Sequence, residues 1–119
     1  MIRSFKDLIG WQKGHELVLS VYKVTSDFSD QEKYALVNQI RRAVVSITSN
    51  IDEGFGRNTS KDKSHFYAIA KGSVMELQSQ MLIAKDLKYM GDKDLKEIEI
   101  KCIEVSRIIS GLRKSAVDH

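Results

Sequence analysis

Apolar positions recur at intervals of three and four along almost the whole chain, a period that predicts four amphipathic helices separated by short polar breaks. From roughly Phe5 to Phe28, the residues Leu8, Trp11, Val18, Val21 and Tyr22 lie near one stripe, widened by Leu17 and Val24, with Ser4 or Asp7 as the starting cap. Ser29-Asp30-Gln31-Glu32 has the spacing of a capping box, so a second helix is expected to begin near Asp30 and run to about Gly54. Its seam is Leu36, Ile40, Ala43, Ile47 and Asn50, flanked by Arg41 and Arg42. Gly54 and Gly56 are expected to supply the φ freedom that stops it. The third helix takes Thr59 or Ser60 as its cap and steps through Phe66, Ala70, Ser73, Leu77, Gln80, Ala84 and Leu87, broadened by Ile69 and Met81. Gly91 then reads as the residue after a helix end and Asp92 as the next cap, and Leu95, Ile98, Cys102, Val105, Ile109 and Leu112 carry an unbroken repeat.

Four such helices with short loops place sequence neighbours antiparallel, so the expected fold is all-α, an antiparallel up-down-up-down four-helix bundle forming a single domain over residues 1–119. The absence of proline agrees with long uninterrupted helices. If the chain reverses near residues 57 to 60, positions on the second and third helices face one another when their numbers sum to about 117. Ala43 and Ser46 then lie opposite Gly72 and Ser73, a meeting of small residues that predicts close backbone approach. Arg41 or Arg42 falls level with Glu76, within reach of an ion pair.

The net charge of +3 is unevenly placed: residues 33 to 71 carry seven Lys/Arg against three acids, while the rest carries twelve against thirteen. That surplus makes Arg41, Arg42, Arg57, Lys61 and Lys63 candidates for contact with a nucleic acid, the last three beside the open amides at the start of the third helix. Catalytic and metal chemistry has little support. His15, His65 and His119 fall in no ligand spacing, and the Glu-x-x-His pairs of a di-iron bundle are absent. Cys102 sits on the apolar seam, where a buried small residue is expected, and Gly54-Phe55-Gly56-Arg57 shares only its two glycines with a phosphate loop. Asn50 is either a register-fixing polar residue in the seam or a functional amide. No enzymatic role, cofactor or metal is expected. A single cysteine fits a reducing compartment, no signal-like or membrane-spanning run is present, and a cytoplasmic location without membrane contact is expected.

The stretches FKDLIGWQKGHELVLSVYKVTSDF, NQIRRAVVSITSNIDEGFGR and FYAIAKGSVMELQSQM resemble the four-helix-bundle protein family first noticed as reading frames inside intervening sequences of bacterial 23S ribosomal RNA genes. The likeness covers nearly the entire chain. It is carried by the run from Gln39 to Ala43, by Ser46 to Gly54 ending in Asn50-Ile51-x-Glu53-Gly54, and by Gly72-Ser73 with Glu76-Leu77. Thr48 and Asp52 depart from the proline and alanine usual in that family. The resemblance implies a bundle that assembles as a homopentamer, and kinship with the accessory protein of diversity-generating retroelements, which binds nucleic acid and a reverse transcriptase. Arg41, Arg42 and Arg57 match family basic positions, and the resemblance brings no catalytic residue.

The resulting expectation is a non-enzymatic nucleic-acid-binding oligomer for structured RNA, acting through a basic surface on the second helix and the turn after it. The alternative is a protein-interaction or scaffold module in which Trp11, Tyr34 or Phe55 anchors a polypeptide partner and the basic surface is incidental.

Overall fold

A computed structural model describes residues 2–28 and 33–117, with Lys33 described in its backbone only. Its four helices are α1 (Ile9–Ser26), α2 (Lys33–Phe55), α3 (Ser60–Asp86) and α4 (Asp92–Val117). They form an elongated body of 47 × 22 × 18 Å. The capping box expected at Ser29 to Glu32 lies outside the described residues.

Contacts between neighbouring helices pair rising numbers with falling ones, which makes each neighbour antiparallel. Between α2 and α3, Ser46 Oγ lies 2.9 Å from Ser73 Oγ, and Gly54 lies beside Tyr67. Between α3 and α4, Arg113 reaches Ser64 at 3.1 Å at one end and Lys85 reaches Asp92 at 3.4 Å at the other. The helix α1 packs on α2 and α4, closing a four-membered ring. Leu17, Val21, Ile40, Ile47, Ile51, Leu77, Met81, Ile98, Cys102 and Ile109 are fully buried, so the 3,4 repeat does mark the core. Three of the expected positions do not: Leu87 follows the end of α3 and is 55% exposed, and Tyr22 and Ile69 are exposed at the edges of their stripes.

The first helix is shorter than the apolar stripe suggests. Ser4 caps a 3₁₀ turn at Phe5–Asp7, with Asp7 returning a bond to the Ser4 amide, and Leu8 then adopts an extended backbone before α1 begins. Gln12 Nε2 donates to the Lys6 carbonyl at 2.8 Å and ties the turn to the helix. Leu8 remains buried, so the break redirects the chain without losing the apolar contact.

Ser46 meets Ser73 as expected and α2 and α3 are the most closely packed pair, but Gly72 is not what brings them together. A methyl group at Gly72 would meet nothing within 4 Å, whereas one at Gly14 would lie 2.9 Å from Thr48 Cγ2, and one at Gly10 3.1 Å from both Ile108 and Leu112. The glycines that leave room for side chains of a neighbouring helix on the α1 side of the bundle are therefore Gly10 and Gly14. At Gly54 the same methyl would lie 2.5 Å from Tyr67 Cε1, so this glycine makes room for an aromatic ring; neither it nor Gly56 has a positive φ. The residue that turns the chain after α3 is Lys88, not Gly91: Lys88 takes the left-handed conformation (φ 65°), the Tyr89 amide donates to the Ala84 carbonyl, and the Lys88 amide donates to the Lys85 carbonyl. This is the double-bonded Schellman ending, made without glycine. Thr59 caps α3 as expected, its hydroxyl accepting the Asp62 amide at 3.1 Å.

Candidate nucleic-acid interface

The five cations singled out from the sequence have different fates. Arg41 is half-buried and turns to α1, not to Glu76: its Nε donates to Thr25 Oγ1 at 3.0 Å, its Nη2 to Ser26 Oγ at 3.3 Å, and its guanidinium lies 4.5 Å from the Tyr22 ring centroid. Those hydroxyls in turn donate to carbonyls of the last turn of α1, Thr25 to Val21 and Ser26 to Tyr22. Arg41 thus completes the negative end of the α1 dipole. Lys63 does the same for α2, with its ammonium donating to the carbonyls of Phe55 at 2.9 Å and Gly54 at 3.3 Å. Arg57 pairs with Glu53 at 2.7 Å and rests 4.6 Å from the Phe66 ring centroid, beside a pocket lined by Asp52, Glu53 and Gly56. Glu53 therefore already occupies the Arg57 guanidinium at that turn. Arg42 and Lys61 are exposed, and neither forms an ion pair among the described residues. They do not form one patch, because Arg42 lies about 20 Å along the α2 axis from Phe55, where the turn leading to Lys61 begins.

A denser arrangement lies between α3 and α4. Ser64 and Lys71 from α3 and Ser110, Arg113, Lys114 and Val117 from α4 line an open groove of about 390 Å³. Arg113 Nε donates to Ser64 Oγ, which holds the guanidinium at the groove wall with its other nitrogens unassigned to any described carboxylate. Three cations therefore converge where no described lining residue is acidic, and none of them enters an ion pair among the described residues. Lys61 extends this groove, since residues 61, 64, 68 and 71 step by three, four and three along one face of α3. Sequence reasoning counted Lys71 and missed Arg113 and Lys114. Their signal is the antiparallel pairing of α3 with α4, which returns the end of the chain to the start of α3 and which a tally along the sequence does not see.

Between α2 and α3, Asn50 Nδ2 donates to the Ser46 carbonyl at 2.8 Å and to Ser46 Oγ at 3.0 Å, and Ser46 bonds Ser73. This favours the register-fixing reading of Asn50. Gln80, also on the α2 side of α3, donates to Glu76 while its Oε1 is buried without a described partner. Cys102 is fully buried, and burial first, then the neighbouring Glu99 charge, pushes its thiol up to about 12, far from a reactive thiolate. Burial also raises the Tyr67 hydroxyl above its ordinary value. Among the described residues no group of three or more His, Cys, Asp or Glu side chains is placed to hold a metal ion, and no helix is long and apolar enough to cross a membrane. Of the aromatic candidates, Trp11 is half-buried between Phe5 and His15, Phe55 is half-buried, and Tyr34 is 66% exposed.

With this geometry in hand, comparison with known proteins gives a consistent answer. No curated protein matches the chain. Among solved structures it is similar to a protein of unknown function from the S23 ribosomal protein family of Bacteroides thetaiotaomicron, with a TM-score of 0.82 at 18% identity, over 89% of this chain and 99% of that one. At that identity the likeness speaks for the fold. The model of one family, described as 23S rRNA-intervening sequence protein, matches residues 6–111, nearly the full bundle from the 3₁₀ turn to the last turns of α4. The chain belongs to the 23S rRNA-intervening sequence protein family.

Proposed function

We propose that this chain is a non-enzymatic RNA-binding protein that works as a homo-oligomer in the cytoplasm, with the α3/α4 groove and Lys61 as its phosphate-contacting surface. The observation that carries this reading is the convergence of Lys71, Arg113 and Lys114 in a groove with no described acidic lining. Guanidinium and ammonium groups left without carboxylate partners are the groups that exchange counterions for phosphates. The family's description, which refers to 23S rRNA, supports RNA as the polyanion. Assembly belongs to the same reading. Ile69, Ile83 and Leu87 on the α2 side of α3 present exposed apolar surface suited to a second copy, and an oligomer repeats a groove that is small in one subunit. The test is a titration of the purified protein against a labelled 23S rRNA fragment at several salt concentrations. Binding that weakens steeply as salt rises is expected, and its absence at micromolar protein overturns the reading.

The competing reading, a protein-interaction module, is favoured by those same exposed apolar side chains. Reversing Lys71, Arg113 and Lys114 to glutamate separates the two, since it removes RNA binding under the first reading and leaves an apolar protein contact in place under the second.

A further inference from the structure

The basic groove does not end in polar surface. The Ser64–Arg113 and Lys85–Asp92 contacts both pair residues whose numbers sum to 177, so α3 and α4 keep one register between them. In that register Lys71 lies level with Arg107 and Met75 with Ile103, each α4 residue within one position of the exact match. Met75 stands one turn along α3 from Lys71, and Ile103 one turn along α4 from Arg107. Met75 is 65% exposed, Ile103 47% and Ile100 69%. Ile100, Ile103 and Arg107 line one shallow surface cavity of about 550 Å³, whose acidic member, Glu104, reaches away to Lys13 at 3.9 Å. The face thus passes from cations to aliphatic side chains, with Glu104 turned to Lys13 and the exposed Glu99 one turn beyond Ile103, outside the lining of the cavity.

From this we infer that the α3/α4 face selects unpaired, single-stranded RNA over duplex RNA, seating phosphates on Lys71, Arg107, Arg113 and Lys114 and base faces on Met75, Ile100 and Ile103. The inference rests on the RNA-binding reading and sharpens it. A duplex keeps its base faces inside the stack and offers this surface only phosphates and groove edges. An unpaired strand exposes the flat apolar faces of its bases, and covering Met75 and the two isoleucines with them removes apolar area from water on both sides. Electrostatics alone points the other way, because a duplex carries the higher charge density and releases more counterions per contact. A single-strand preference therefore has to come from the aliphatic shelf.

The experiment compares a labelled, unstructured 20-nucleotide RNA with the same strand annealed to its complement, by fluorescence anisotropy at fixed salt and across a salt series. The single strand is expected to bind at least about fivefold more tightly, a modest fraction of what aromatic stacking platforms achieve. Met75→Gln combined with Ile103→Gln should abolish that preference while duplex affinity and the salt dependence stay as in the parent; Ile100→Gln alone should reduce it. These side chains are exposed, so the substitutions leave the core intact. Equal or tighter duplex binding by the parent protein, or an undiminished preference in the shelf variants, overturns the inference and leaves the RNA-binding reading standing. Failure of both RNAs to bind in a salt-sensitive way overturns the RNA-binding reading itself.

Discussion

Arg41 at the end of α1 and Lys63 at the end of α2, and Lys71 and Lys114 in the groove between α3 and α4, carry the same unit charge and meet different atoms. The first pair ends on oxygen atoms of helix ends: Arg41 on the hydroxyls of the last turn of α1, Lys63 on the final carbonyls of α2. The second pair faces an open groove in which no described side chain is acidic. A helix C-terminus holds about half a unit of negative charge, enough to occupy a nearby cation without any carboxylate. Availability to a polyanion therefore depends on which backbone ends lie within reach, more than on how many cations a stretch contains. Arg57 falls between the two cases, held by an exposed Glu53 and stacked on Phe66.

The sharpest way to break this comparison is to reverse the groove. Lys71→Glu, Arg113→Glu and Lys114→Glu together remove three phosphate contacts and should weaken single-stranded RNA binding by at least about 100-fold at 0.1 M salt, with a shallower salt dependence. Thermal stability should change little, because none of the three forms an ion pair among the described residues. Retained affinity would move the contact surface elsewhere. The reciprocal change is Arg41→Ala. It removes two charge-assisted bonds and a ring contact at a half-buried site and should cost about 1–2 kcal/mol of stability, discounted for its partial exposure. Calorimetry should show Tm lower by roughly 3–10 °C, with RNA affinity within twofold of the parent.

How much of this was legible in the chain depends on range. The repeat of Leu95, Ile98, Cys102, Val105, Ile109 and Leu112 has one reading, a buried seam, and the structure buries all of it but Leu112, which is half-buried near the end of α4. Thr59 as a cap was legible too, because a cap is a bond over three residues. What failed was the assignment of glycines to roles. Gly72 reads as a close-approach residue because a glycine costs a helix something, yet the space at Gly72 is open and the tight contacts are at Gly10, Gly14 and Gly54. Nothing local distinguishes them, since the deciding atoms belong to Ile108, Thr48 and Tyr67 on other helices. The site followed the same rule. The cations near residue 57 were visible as a cluster, but the oxygens that engage Arg41 and Lys63, and the groove that gathers Arg113 and Lys114 beside Lys71, exist only once the helices are packed.

A smaller effect is expected at Lys63. Replacing it with methionine keeps the aliphatic stem against Phe55 and removes only the ammonium that caps α2, so the loss should be about 0.5–1 kcal/mol. Chemical denaturation should show the midpoint falling while the slope stays constant, as befits a cap and not a core contact. An RNA affinity that falls more than the threefold or so expected from losing one nearby charge that makes no contact would mean that Lys63 leaves its cap to meet the ligand.

The smallest change tests the intermediate case. Glu53→Gln removes the carboxylate from a pair whose side chains are 52% and 45% exposed, so water and salt already screen most of the attraction. Stability should move by less than about 0.5 kcal/mol. Arg57 would keep its place over Phe66, because the ring contact does not depend on Glu53, but it would now present an uncompensated charge at the turn before α3. If helix-end and carboxylate partners are what withhold cations from RNA, this variant should bind slightly more tightly than the parent, by about twofold at low salt, with the gain vanishing at high salt. An unchanged affinity at every salt concentration would show that Arg57 lies too far from the bound strand to matter, and that the groove between α3 and α4, with Lys61 at its edge, bounds the contact surface on that side.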